Sequence, residues 1–224
     1  MADQAKAEIV DLSHVIEHGM TTYKGFPGPE ICDFWTREGS AENYDDGSTF
    51  HIGRIDMVAN TGTYVDAPFH RYADGEDLAE LSLESLADLA GIVVRKPWEN
   101  DLAVDVGEFA GRDVAGKAVL VHTGWDRHWR TDRYSEGHPF LTAEAADWLA
   151  GNGAALVGID SYNIDDTRTR VRPVHSTLLA AGIPICEHMT GLGQLPDEGF
   201  RVSAVPPKIA GMGSFPVRAY AVLG

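Results

Sequence analysis

The stretch Asn60-Thr61-Gly62-Thr63-Tyr64-Val65-Asp66-Ala67-Pro68-Phe69-His70 carries an amide, a phenol, a carboxylate and an imidazole within eleven residues. Asp66 and His70 could ligate a metal or share a proton, and the fixed φ of Pro68 would keep their separation constant. Gly62, Ala67 and Pro68 suit a fixed loop better than a continuous helix or strand. A polar turn that merely closes a strand would read the same way, so the rest of the chain has to decide between the two.

The 224 residues show no internal repeat and no low-complexity linker, which predicts one domain spanning residues 1–224. A hydrophobic content of 44%, with 24 Gly and 11 Pro, describes a turn-rich chain with ample material for a core. The formal net charge of −16 repels phosphate backbones and anionic lipid, so no nucleic acid and no membrane surface is expected as a partner. A small-molecule substrate is expected instead. Met1 to Ala7 is short and polar, and no run of 18 apolar residues occurs, which together predict a cytoplasmic protein. Cys32 and Cys186 lack CxxC spacing and read as plain buried thiols; Cys186 adjoins Glu187 but has no sequence-adjacent base to activate it.

Several elements must position these groups. Glu8 to Ser13, Ile31 to Thr36 and Thr49 to Val58 read as strands, the last leading into the Asn60 to His70 loop. The leucines at 78, 81, 83, 86 and 89, with Ser82 as a cap and Gly91 as a stop, predict a helix, followed by a strand over Ile92 to Arg95. Lys117 to Thr123 reads as a strand, and Gly124 to Trp129 as a packed surface loop or a pocket rim. Thr142 to Gly151 reads as a capped helix, and Ala154 to Ile159 as a buried strand ending at Asp160, which either ties a loop or belongs to a site. Val174 to Gly182 predicts a short helix, and Ile183 to Glu187 a strand whose Pro184 suggests an edge or a beginning. Phe200 to Pro206 and Val217 to Leu223 complete the set. Strands and short helices without strict βαβ alternation predict an α/β fold with mixed or partly antiparallel sheets.

At this point the residues resemble a known family, the metal-dependent hydrolases of the cyclase family, which includes bacterial kynurenine formamidase and isatin hydrolase. Its hallmark is H-x-G-T-H-x-D-x-P-x-H, and five of the seven specified positions agree in Asn60 to His70. Asp11-Leu12-Ser13-His14, Gly158-Ile159-Asp160, His175 with Glu187, and Ser214 to Arg218 look like further family landmarks in family order. The resemblance therefore spans essentially the whole chain and implies a swivelling β/β/α-like architecture.

It also implies that Asp66, His175 and Glu187 are metal ligands and that His70 transfers protons. Asn60 and Tyr64 stand where the family motif has imidazoles, and neither an amide oxygen nor a phenol of ordinary pKa about 10 matches imidazole as a zinc ligand. Three outcomes stay open: one ion, zinc or manganese, held by Asp66, His175, Glu187 and His70 with Asn60 as an oxygen donor; a harder ion on mostly oxygen donors; or no metal and a hydrogen-bonded polar network. The functions expected from these are hydrolysis of a small amide, lactone or related carbonyl compound, with Tyr64 donating to the oxyanion; a metal-independent cyclase or lyase using His70 and Tyr64 as acid and base; and ligand binding without catalysis. The resemblance further implies a homodimer or homotetramer. His51 and His188 are candidate replacement ligands, His14, His18, His122, His128 and His138 read as ordinary histidines, and Arg71 either pairs a substrate carboxylate or is a solvated surface residue.

Overall fold

Val93, Val94, Val119, Leu120, Val121, Leu156, Val157 and Ile159 are all buried. Strands that are apolar on both faces require cover on both faces, and that requirement shapes the architecture. The computed structural model describes residues 7–224, so the expectation for Met1 to Lys6 lies outside the described residues. In chain order it contains β1 (Glu8–Asp11), β2 (Glu30–Trp35), the single-turn α1 (Arg37–Ser40), β3 (Ile52–Asp56), β4 (Tyr64–Asp66), β5 (Leu89–Arg95) and β6 (Ala103–Val104). There follow β7 (Ala118–His122), β8 (Phe140–Leu141), α2 (Ala143–Gly151), β9 (Leu156–Ile159), α3 (Pro173–Ala180), β10 (Ile185–Glu187), β11 (Glu198–Ser203), β12 (Ser214–Pro216) and β13 (Tyr220–Leu223).

Nine strands form one mixed sheet in the order β1-β13-β11-β5-β7-β9-β10-β4-β12. The centre, β5 to β10, is parallel. The flanking pairs are antiparallel. Alternation along each strand divides the core in two. Val93, Leu120, Leu156 and Cys186 belong to one cluster, with Leu12, Phe200 and Val202. Ile92, Val94, Val119, Val121, Val157, Ile159 and Ile185 belong to the other, under Leu149 of α2 and Val174, Leu178 and Leu179 of α3. The two-residue period of a strand thus sends every second side chain to each core. Among the described residues, no helix is long and apolar enough to cross a membrane.

The mixed α/β architecture with few short helices agrees with the expected fold class, and three local expectations are corrected. The Asn60 to His70 segment is not a loop throughout, because β4 runs through it and Pro68–His70 forms a 3-10 turn. No helix spans Leu78 to Gly91: Ser82 caps only the 3-10 turn Leu83–Ser85, and Leu89 already begins β5. The leucine spacing instead places Leu78, Leu81, Leu86 and Leu89 in the core from an irregular segment. Cys32 is exposed on the β2–β3 hairpin, while Cys186 is buried as expected. Gly124 to Trp129 packs as a 3-10 turn whose Trp125 is completely buried against Tyr134 and Tyr162.

Gly91 ends no helix; it makes room. A Cβ there would overlap the ring of Phe200, a buried core residue on neighbouring β11. Gly91→Ala is expected to destabilise the fold by about 1–3 kcal/mol, the usual range for overpacking. A thermal unfolding scan checks this, and an unchanged melting temperature would show that Phe200 yields without cost.

Candidate active site

Strand pleat and register assemble this site. On β4, Tyr64 and Asp66 project to one face and Val65 to the other, where it joins the core. Antiparallel pairing sets Glu187 of β10 opposite Tyr64, and Ser214 of β12 opposite Asp66. Directly opposed residues share a face, so Tyr64, Asp66, Glu187 and Ser214 converge on the side covered by α3. His175 comes from α3, and His70 from the 3-10 turn that follows β4. A close backbone approach fixes that turn: a Cβ on Gly213 would sit 2.5 Å from the His70 main chain, and Ala67 N donates to Gly213 O at 2.7 Å.

The hydrogen bonds assign each imidazole a direction. Asp165 is fully buried, accepts from the backbone N of Val174 and His175 at the start of α3, and takes the His175 Nδ1 proton at 2.6 Å. His175 Nε2 then faces Asp66 Oδ2 at 3.6 Å and Glu187 Oε1 at 3.7 Å. Ser214 Oγ donates to Asp66 Oδ1 and sits 2.9 Å from His70 Nδ1. A hydroxyl has a single proton, so with that proton given to Asp66 the second bond must be donated by His70. His70 is thereby held as the Nδ1–H tautomer with Nε2 free, and its side chain is 37% exposed.

The phenols close the opposite side. Tyr64 OH donates to Glu187 Oε2, Tyr23 OH lies 3.1 Å from the same oxygen, and the two hydroxyls are 2.7 Å apart. Burial, reinforced by the Glu187 charge, pushes both phenols well above their ordinary value, so both are protonated donors. Burial also pushes Glu187 up. Burial pulls against His175, but Glu187, Asp165 and Asp66 outweigh it and raise the imidazole to about 10.

Asp66 Oδ2 is buried without a hydrogen-bond partner. An unpaired carboxylate oxygen in such a position is costly unless a cation takes it. Asp66, His70 and His175 each present an atom within 4.8 Å of the others, and Glu187 Oε1, which also accepts from Ile164 N at 2.6 Å, lies 3.7 Å from His175 Nε2. This oxygen and nitrogen set fits one divalent ion, with zinc and manganese both compatible with it.

The structure therefore brings together Asp66, His70, His175 and Glu187. Asn60 differs from its expected role as an oxygen donor, since its Nδ2 points toward Asp66 Oδ1 at 3.4 Å and acts as a proton donor to the site. Tyr64 is completely buried and its proton goes to Glu187, so its hydroxyl supports a carboxylate instead of meeting an oxyanion. His51 lies on the exposed hairpin and pairs with Asp33 at 2.7 Å, away from the site. His188 is fully buried among Tyr23, Tyr64 and Tyr134 and bonds Tyr134 OH at 3.0 Å, outside the cluster around Asp66. Asp160 ties a loop, accepting from Thr123 N, Thr123 Oγ1 and Gly124 N. Sequence reading missed Tyr23, and took no function from Asp165 or Ser214. Only the DD pair at 165–166 before a helix hinted at Asp165; Tyr23 sits in a loop with no local pattern.

Comparison with known proteins adds four findings. The Cyclase family model, described as "Putative cyclase", matches residues 10–166. The kynurenine formamidase of Bacillus cereus is 25% identical over 213 residues, covering 95% of this chain and 96% of its own. A solved structure described as a potential metal-dependent hydrolase with cyclase activity superposes with a TM-score of 0.79 at 25% identity, covering 97% and 98% of the two chains. An isatin hydrolase bound to the product analogue thioisatinate shares the fold, with a TM-score of 0.80 at 22% identity over 97% and 92%.

Asp165 is a positioning residue through its hold on His175 Nδ1. Asp165→Asn leaves one acceptor too few and is expected to weaken the binding of an added divalent ion, zinc as the probe, about 10–100-fold, as loss of such partners does elsewhere. Competition against a chromogenic chelator measures the change, alongside a melting curve to check folding. Equal affinity in a folded variant would remove Asp165 from this role.

Proposed function

This chain belongs to the Cyclase family, and from that premise we propose that it is a metal-dependent hydrolase cleaving a small amide or a related lactone. Asp66 Oδ2, His175 Nε2 and Glu187 Oε1 would hold one divalent ion. The observation that carries the reading is the buried, unpartnered Asp66 Oδ2 facing an Nε2 whose ring is locked by Asp165. The naming of the Bacillus cereus relative as a formamidase supports the C–N bond as the target. Bound there, zinc or manganese supplies Lewis-acid polarisation of a carbonyl and acidifies water.

The chain's own groups do the rest. His70 Nε2, free because Nδ1 is bonded to Ser214, accepts the proton of the attacking water and returns it to the leaving nitrogen or oxygen. Attack forms the C–O bond, loss of the amine breaks the C–N bond, and the proton completes the amine. Asp66 stabilises the imidazolium formed in between, since Ser214 links the two. Tyr23 and Tyr64 hold Glu187 in place and, as neutral donors, keep its second oxygen from repelling Asp66. Asn60 performs a similar service for Asp66.

Purified protein is expected to contain about one divalent ion per chain by elemental analysis, and Asp66→Ala and His175→Ala to lose it. His70→Ala is expected to keep the ion while formamide hydrolysis falls about 10²–10⁴-fold, the typical yield of general acid–base catalysis. No metal in any preparation, with turnover indifferent to chelator or added ion, would overturn the reading.

A homo-oligomer is part of the same reading. The β2–β3 hairpin is a two-stranded sheet separate from the main one, and it exposes Ile31, Phe34, Trp35, Phe50, Ile52 and Ile55. Apolar side chains concentrated on one arm fit burial against a second copy. Light scattering of the wild type is expected to give a dimer or a multiple of it, and Phe34→Asp with Ile55→Asp to shift it toward monomer. A monodisperse monomer in the wild type would exclude this.

A further inference from the structure

A cavity of roughly 810 Å³ opens over His70 and His175. In a chain with 34 acidic residues it is lined by no Asp or Glu, but by Arg71, Arg170 and Arg172. The carboxylates nearby, Asp66 and Glu187, have no exposed surface. Such a local inversion of charge in an acidic protein calls for an anionic occupant.

The three arginines differ in how they are engaged. Arg172 is occupied by the fold: its Nη1 donates to the carbonyls of Thr169 and Val171 at 2.8 and 2.9 Å. Arg71 is held only at one corner, with Nε donating to Ser176 Oγ at 3.1 Å and the guanidinium 5.6 Å from the Tyr72 ring centroid. Tyr72 is itself fixed by its hydroxyl on Ser176 O at 2.9 Å. Among the described residues neither Arg71 Nη makes a hydrogen bond, and Arg170 makes neither a hydrogen bond nor an ion pair. Eight other basic side chains, Arg95 and Arg218 among them, pair with carboxylates. An oriented guanidinium with two free donors matches a carboxylate in fork geometry. Val171 and Pro173 also line the cavity and offer it apolar surface.

We propose that Arg71, seconded by Arg170, selects substrates that carry a carboxylate away from the bond that is cleaved. This rests on the hydrolase reading for the word substrate, but the anion site stands on its own geometry. The substrate class is then a small amide or lactone with an apolar body and a free acid at its far end.

The test uses a matched pair of probes, 4-formamidobenzoate and its methyl ester, with the metal-loaded protein. Binding is measured by calorimetry and turnover by release of the amine. The acid is expected to bind roughly tenfold or more tightly than the ester, and this ratio to collapse toward one in Arg71→Ala, with partial recovery in Arg71→Lys and a smaller loss in Arg170→Ala. Arg112→Ala, which removes the same charge outside the cavity, is expected to leave the ratio unchanged. High salt is expected to reduce the ratio, because the arginines are solvent-exposed. Arg71-dependent binding of the acid without turnover of either probe would sink the hydrolase reading and leave the anion site standing. Turnover of both probes at equal efficiency, or acid binding indifferent to Arg71, would overturn the anion site and leave the hydrolase reading intact.

Discussion

The chemistry of this protein depends on one short strand, β4, being paired on both sides in a single register. Three residues wide, it aligns Tyr64 with Glu187 and Asp66 with Ser214, and a slip of one residue would send every polar group into the apolar core and bring Val65 to the site. What enforces the register is the hydrophobic alternative: Val65 and Cys186, both without exposed surface, lie side by side in the core. Burial of two apolar side chains therefore fixes the geometry of four polar ones.

Built on that frame, the site shows a division of labour among hydrogen bonds. Each imidazole has one nitrogen tied to the protein, His175 through Asp165 and His70 through Ser214, which fixes the direction in which the other nitrogen points. Of the central carboxylates, Asp66 has one oxygen supplied with donors, by Ser214 and Asn60, while Glu187 has both, Oε2 from the two phenols and Oε1 from the backbone N of Ile164 at 2.6 Å. The substitutions that departed from the family motif, Asn60 and Tyr64, are thus absorbed as donors to the carboxylates that remain. Neutral donors in a buried, carboxylate-rich cluster relieve repulsion between the carboxylates without adding a charge.

Much of this was legible in the sequence where one physical signal dominates. Ala154 to Ile159 reads as a buried strand because nothing but the sheet centre accommodates such an apolar run, and Thr142 announces α2 by its capping side chain. The segment from Leu78 to Gly91 was misread because leucines at helical spacing serve equally well as anchors for an irregular segment, and Gly91 answers to the Phe200 ring, a partner more than a hundred positions away. The same distance hid Asp165, Ser214 and Tyr23. Their meaning lies in which atom they face, and no local pattern of residue types encodes that. The Asn60 to His70 segment stood out because its groups are adjacent in sequence, yet even there strand β4 was concealed by its brevity and by Pro68 beside it.

The polar cluster takes its members from positions 23, 66, 70, 165, 175, 187 and 214, and its central strand is bordered by strands that arrive more than a hundred residues later. During synthesis on the ribosome, β4 therefore waits with both edges open until nearly the whole polypeptide has emerged. Closure of such distant loops is slow, and until it occurs the polar cluster is not assembled. The cluster is completed all at once with the final strands, so its assembly is an event of the end of folding.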